Sequence, residues 1–580
     1  MPHTFKNASV SLVALAIATL ANVPASAQLV GDNAPPPSSP LMVGGANGSA
    51  DQAEEGDGRE ARRERRGRGH RRVDVHPYIE VGQVVSADLS DGGDVLTYST
   101  AAVGVQGTVE TRRAQAAVDV RYEHRFSWND KLADTDVISG LLRGAYTLGG
   151  GLSLEGGALA TRASIDGRNG TANFGVGDQG NHSTVYSLYA GPTFARHVGD
   201  LDVGAAYRFG YSRNEISLGR SLTGTTPFGT FDDATNHSAL ASIGMRPNAA
   251  GLPFGWRLSS GFDYEKAGQL DQRYRGAFGR ADVTLPVSPT LALVGGVGYE
   301  NIRVSNAAPL VDTITGAPVV DARGRLVSDP SQPRQIAFET DGLIYDAGVL
   351  WRPSPRMSVE ARVGRRYGDM SYTGSATWQE NEDVGYQLAV YDTVSTIGRS
   401  LSSGLAALPT DFNALRNGID GSLSGCAFGS AGGNCLTPTL NNLSGFAFRN
   451  RGAVLSMSSR MRQWTFGAAL GYDRRTYLAR GVTALAGLDG SVDETWYAAV
   501  SASRPIDDRT TFGTSAYATL FDPGLAGAGD TTSAGVSAAV SHLFIPRLSG
   551  TAAVSLDAIK AANRDSRIFA SALFGLRYTY

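Results

Sequence analysis

The sequence predicts an all-β chain: a closed antiparallel transmembrane β-barrel of about 22 strands (20–24), with long extracellular loops and a disordered N-terminal periplasmic segment. Three observations carry this. From His76 to Tyr580 the chain is a succession of 10–15-residue stretches alternating with period two, longer than the usual strand of about 5–6 residues and long enough to cross a bilayer at a tilt. The long connections between stretches fall at one end and the tight ones at the other. The last stretch ends on aromatic residues.

The N-terminus is read first. Lys6 supplies a positive start, residues 8–23 are apolar, and Ala25-Ser26-Ala27 has the small-x-small form of a signal-peptidase site, so residues 1–27 are expected to be a Sec signal peptide. No later run of 18 apolar residues exists to form a spanning helix. Residues 28–75 combine a proline run (Pro35–Pro37), an acidic patch and the arginine cluster GREARRERRGRGHRR (58–72), a composition that cannot build a core and predicts disorder.

Residues 76–580 form the expected barrel. Segments are predicted near 76–88, 95–110, 113–127, 134–147, 151–164, 183–197, 199–213, 236–246, 254–265, 271–286, 289–303, 340–352, 355–367, 369–380, 384–396, 447–459, 461–475, 492–503, 507–520, 530–543, 546–558 and 566–580. An even number suits a barrel with both ends in the periplasm. The four longest gaps, 165–182, 214–235, 304–339 and 397–446, all follow odd-numbered segments and are expected outside the cell. Pro192 interrupts the sixth segment, where it would require a bulge.

Each segment's two faces have opposite chemistry. In AAVDVRYEHRFSW (116–128), Val118, Val120, Tyr122 and Phe126 are expected to face lipid, and Asp119, Arg121, Glu123 and Arg125 the lumen. Arginine on the lipid face would cost roughly 2–4 kcal/mol at mid-bilayer. The same logic puts Asp202, Arg208, Arg257, Asp263, Glu360, Arg362 and Arg366 in the lumen, with both signs mixed as in cross-strand ion ladders. The six tryptophans lie near segment ends: Trp256, Trp351, Trp378 and Trp464 at the periplasmic rim, Trp128 and Trp496 at the outer rim, as an interfacial girdle requires. In the last segment, Gly575, Tyr578 and Tyr580 match the spacing of a C-terminal assembly signal. Leu573 departs from it, where a polar residue is usual.

Little points to chemistry. Cys426 and Cys435, the only cysteines, sit in the longest loop. An oxidising compartment favours a disulfide between them, a metal pair or free thiols being the alternatives. No GxSxG, HExxH or P-loop motif occurs, and the carboxylates have arginine neighbours, so no enzyme, catalytic residue or cofactor is expected. His124 is expected in the outer girdle. A net charge of −3 predicts no nucleic-acid partner. The short, low-complexity N-terminal segment cannot fold into a plug, leaving the lumen open or narrowed by 397–446, 304–339 or the basic tail.

Three segments, LWRPSPRMSVEARVGRRYGDMSYTGSATW (350–378), YQLAVYDTVSTIGRSL (386–401) and RQWTFGAALGYDRRTY (462–477), resemble the large outer-membrane β-barrels associated with exopolysaccharide and PEP-CTERM (exosortase) systems in Gram-negative bacteria. The resemblance implies a surface-polysaccharide context. The expected role is a channel or export component for a hydrophilic polymer or solute, against two alternatives: a closed structural or adhesive barrel acting through its outer loops, and a general diffusion porin. Expected partners are outer-membrane lipid and lipopolysaccharide, the barrel-assembly machinery, and a polysaccharide or periplasmic export partner. Substrate and oligomeric state are not legible.

Overall fold

In a computed structural model, the structure describes residues 72–580 apart from 91–94, 129–133, 165–181, 217–231, 317, 322–324, 382, 420, 430–431, 442, 481–487, 525–528 and 563–564. The expected signal peptide and nearly all of the arginine cluster lie outside the described residues. The strands are β1 (Arg72–Asp88), β2 (Val95–Glu110), β3 (Ala114–Ser127), β4 (Thr135–Gly149), β5 (Leu152–Ser164), β6 (His182–Val198), β7 (Leu201–Ile216), β8 (Asp233–Met245), β9 (Gly255–Ala267), β10 (Gln272–Pro286), β11 (Leu291–Asn306), β12 (Gln335–Ser354), β13 (Met357–Arg366), β14 (Asp369–Gln379) and β15 (Val384–Ser395). A long insertion follows, holding helix α1 (Ile397–Ala406), strands β16 (Asn413–Arg416), β17 (Leu423–Gly429) and β18 (Gly432–Cys435), and helix α2 (Thr437–Asn441). The chain continues through β19 (Phe448–Met461), β20 (Trp464–Tyr477), β21 (Val492–Pro505), β22 (Thr510–Asp522), β23 (Thr531–Ile545), β24 (Leu548–Ala561) and β25 (Arg567–Thr579).

Leaving out β16–β18, each of these strands pairs antiparallel with its neighbours in the chain, β15 with β19, and β25 closes onto β1 with Tyr78 opposite Thr579 and Asp88 opposite Phe569. The result is a ring of 22 strands. Closure leaves no free sheet edge, so every strand has a pairing partner on both sides. Each expected segment corresponds to one ring strand. β1 begins at Arg72 rather than His76, because Arg72 to Val75 pair with Glu110 to Gly107 of β2.

Pro192 causes no bulge. Pairing of β6 with β7 lapses at Gly191 and Pro192 and resumes in the same register, from Ala190 opposite Phe209 to Thr193 opposite Ala206. The proline lacks an N–H to donate, and Gly191 lets β7 come close, since a Cβ there would lie 1.8 Å from the Tyr207 carbonyl oxygen.

The two faces of the ring differ as the alternation requires. On β3, Asp119, Arg121, Glu123 and Arg125 are buried inside, while Tyr122 and Phe126 are exposed outside. The same outward belt continues through Leu258, Phe262, Leu343, Tyr345, Leu520, Val554 and Phe574. Connections 111–113, 150–151, 199–200, 355–356, 462–463 and 546–547 turn tightly at one end, and 307–334 and 396–447 cross the other. The tight turn 506–509 is locked by Asp507, whose carboxylate accepts from the Arg509 and Thr510 N–H groups and is held below the usual carboxylate range by them.

Candidate functional site

The lumen is the candidate site, and its wall has two kinds of surface. One is a set of charge groups whose members reach over an intervening strand. Arg280 on β10 contacts Asp282 at 2.7 Å and Asp346 on β12 at 2.5 Å. Arg362 on β13 contacts the same two carboxylates at 2.9 Å each, and Glu360 at 2.5 Å. Between them, β11 offers Gly296, where a Cβ would lie 2.1 Å from the Arg280 Nη2. Only a residue without a side chain lets the guanidinium lie across that strand. Arg257 on β9 borders the group, facing Asp282, Asp202 and Glu360.

A second group repeats the design. Arg121 on β3 reaches Glu80 on β1 at 2.6 Å and Glu123 at 2.5 Å, Arg125 joins Glu123 at 2.6 Å, and Arg577 on β25 joins Glu80 at 2.8 Å. The strand crossed is β2, which presents only Ala102 and Gly104 opposite Glu123 and Arg121. Arg208 on β7 likewise spans β6 to Glu155 on β5, and Arg366 on β13 spans β12 to Glu300 on β11. Asp202 meets Arg246 and His197 near the short-turn end. Asp263 meets Arg399, a residue of the insertion. The residues expected to line the lumen thus all stand on the inner face, in groups that sequence alternation alone does not reveal.

The other kind of wall surface is apolar. Leu141, Leu159 and Val185 point inward from β4, β5 and β6, and the long insertion turns into the ring and packs on them with Leu401, Leu405, Leu408, Phe412, Leu423, Leu436, Leu440 and Leu443. A leucine so buried contributes about 2 kcal/mol. α1 lies against β5–β9, and Gly210 on β7 leaves room for Ser402. β17 and β18 reach the opposite wall, where Phe428 and the cysteines pack on Ala469, Tyr497 and Ala499. Between these, Ile419 inserts among Val84, Tyr98, Ala553 and Leu573. Leu573 is therefore an apolar residue on an inner face because it receives Ile419.

Ion pairs fix the insertion in place. Arg416 contacts Asp119 on β3 at 2.8 Å and donates to the Ser139 hydroxyl on β4 at 2.8 Å. Arg399 contacts Asp263 at 3.1 Å and lies over the Tyr274 ring. Arg143 donates to the Leu408 carbonyl at 2.9 Å. The longest loop, expected on the outer side and among the segments that could narrow the lumen, is thus a wedge across it. Its residues Arg399, Arg416, Ile419 and Phe428 escaped the sequence reading, although the leucine spacing of 397–406 and the inward-facing Leu141, Leu159 and Leu573 were available signals.

Cys426 and Cys435 are bonded, with S–S 2.02 Å, and lie opposite one another in the β17–β18 pair, buried inside the ring. The bridge is consequently part of the wedge and not a clip on an external loop. Changing both cysteines to serine is expected to leave the ring assembled while destabilising β17–β18 by about 3 kcal/mol in the chain-entropy model. Faster hydrogen exchange confined to Leu423–Cys435 checks this; unchanged protection would count against it.

On the outer surface, Trp128, Trp351, Trp378 and Trp496 are exposed and Trp256 and Trp464 half-buried. They occupy the two rims, with Trp378 stacked on Tyr386 at 4.9 Å and Trp496 against Tyr472 at 4.5 Å. His124 stands outside beside Phe126, its Nδ1 2.8 Å from Asp136. Tyr578 and Tyr580 pack edge to face at 5.1 Å, and Gly575 lies opposite Gly82. Among the described residues, no group of three or more His, Cys, Asp or Glu is placed to hold a metal.

No protein-family model matches the chain, and no curated protein matches it. Solved structures similar to it include the ferric-catecholate import receptor Fiu from E. coli K12 in its open form, 11% identical, covering 87% of this chain and 81% of that one, with a TM-score of 0.43. The alcaligin outer-membrane receptor FauA from Bordetella pertussis is 12% identical, covering 88% and 76%, with a TM-score of 0.36. The copper transporter OprC is 10% identical, covering 88% and 82%, with a TM-score of 0.37.

Proposed function

We propose that the protein is an outer-membrane channel for a hydrophilic solute or polymer, exported through the Sec pathway and narrowed by its own wedge. The observation that carries this is the inversion of polarity: arginine–carboxylate groups inside a closed ring, and a belt of exposed Leu, Val, Phe, Tyr and Trp outside. In water such a belt far exceeds the apolar patches soluble proteins tolerate, whereas in a bilayer it is the matched surface. The aromatic rims, with Tyr578 and Tyr580 packed edge to face on the last strand, suit lipid and lipopolysaccharide as partners, and the barrel-assembly machinery is proposed as a partner on the spacing of Gly575, Tyr578 and Tyr580. The surface-polysaccharide context, with a polysaccharide or periplasmic export partner, rests on the sequence resemblance and is part of the proposal.

A second reading, a closed structural barrel acting through its outer loops, is favoured by how firmly the wedge is held through Arg416, Arg399 and the leucine cluster. Planar-bilayer recording of the full-length protein separates the two. The channel reading expects small, stepwise ion conductance, larger when residues 28–71 are removed if the basic tail also enters the pore. A sealed bilayer with correctly assembled protein would leave the structural reading standing.

A further inference from the structure

We propose that the wedge and the wall together form a binding site for a neutral, polyhydroxylated solute of mono- or disaccharide size; this deepens the channel reading and rests on it. Between the insertion and strands β1, β2, β3 and β25, near the short-turn end, lies a cavity of about 360 Å³. That volume falls in the range of small-ligand sites. Strand register builds its floor: Asp119 lies opposite Gln106, Gln106 opposite His76, and Tyr78 opposite Thr579, all on the inner face. Phe412 and Ala414 of the wedge close it from above.

The two least exposed charges at this cavity, Asp119 and Arg577, are already paired. Asp119 is paired with Arg416, Arg577 with Glu80, and His76 lies 2.5 Å from Asp74. Capturing an ion at Asp119 or Arg577 would mean breaking a pair whose members are at most a third exposed. What remains are uncharged groups: the Gln106 amide and the Thr108 and Thr579 hydroxyls line the space, and their side chains make no hydrogen bond among the described residues. An amide that both donates and accepts, two hydroxyls and the apolar edges of Phe412 and Ala414 are the complement of a sugar ring, which alternates hydroxyls with C–H faces. Gln106 is exposed although it faces inward, so a solute entering from the short-turn end meets it directly.

The test is equilibrium dialysis of labelled sucrose and maltose against the detergent-solubilised full-length protein, with citrate and spermidine as charged controls, run beside planar-bilayer recordings. Either disaccharide is expected to bind, about tenfold more weakly in Gln106→Leu and not measurably in Ala414→Trp, which fills the cavity from the wedge side. Heat-modifiable migration identical to wild type shows that both variants assemble. Undiminished disaccharide binding in both variants, no disaccharide binding at all, or tighter binding of citrate or spermidine lost in the same variants, overturns the site. Conductance without disaccharide binding removes this site and leaves the channel; disaccharide binding without conductance keeps the site and removes the channel.

Discussion

Replacing residues 400–444 by a short glycine-serine turn is expected to raise single-channel conductance several-fold. A ring of 22 strands encloses a lumen far wider than side chains alone can fill. The wedge makes up the difference, with leucines on the β4–β6 wall, Ile419 against β1, β2, β24 and β25, and Phe428 against β20 and β21. Each anchor belongs to a different arc, so removing the segment opens the lumen from side to side. The ring itself should survive, because its strands pair without help from the insertion. A gentler version, Leu401→Asp with Leu405→Asp, places two carboxylates in the leucine cluster, at a cost of several kcal/mol if they stay buried and ionised. It should give a noisier, intermittently larger conductance. Equal conductance in wild type, deletion and double variant would mean that the wedge does not limit the pore.

The ring was legible because three constraints act on every strand at once: the bilayer fixes its length, lipid on one side and water on the other fix its alternation, and loop length sorts the two ends. Asp119, Arg121, Glu123 and Arg125 show this on a single strand. That 397–446 could narrow the lumen was one of several alternatives; how it is seated was not legible, because its contacts are made between residues far apart in the chain and depend on where the insertion comes to rest. Arg416 and Asp119, nearly 300 positions apart, carry no mutual signal in a single sequence. Yet the wall does hold a trace of the wedge. An inner face that must meet water has no reason to carry Leu141, Leu159, Val185 and Leu573, so each such exception marks a place where something other than water sits. Reading Leu573 only as an imperfection in a terminal motif missed that meaning. The glycines were undervalued for a related reason: Gly104 and Gly296 sit in ordinary strand positions, and their role is set by side chains reaching over from the adjacent strands, Tyr78 at Gly104 and Arg280 at Gly296.

Those crossed strands lead to the other large expected effect. Arg362→Ala removes the cation that joins Asp282, Asp346 and Glu360, leaving Arg280, with Arg257 at the border, to balance three carboxylates, in a group whose paired side chains are all less than a fifth exposed. Stripping one partner from a buried ion group costs about 3–5 kcal/mol, and here the lumen's water reduces that toward the lower end by solvating the freed carboxylates. The expected result is a marked fall in the temperature at which the folded, fast-migrating form converts to the unfolded one on a semi-native gel, with no change in the wedge's hydrogen-exchange protection. The same variant should shift ion selectivity toward cations, since negative charge is newly uncovered on one arc of the pore. Arg362→Lys separates the two consequences. A lysine restores the charge but cannot reach three carboxylates in the fixed fork geometry that a guanidinium offers, so selectivity should return to wild type while the heat resistance recovers only in part. Full recovery of both would reduce the part Arg362 plays in the group to simple charge balance.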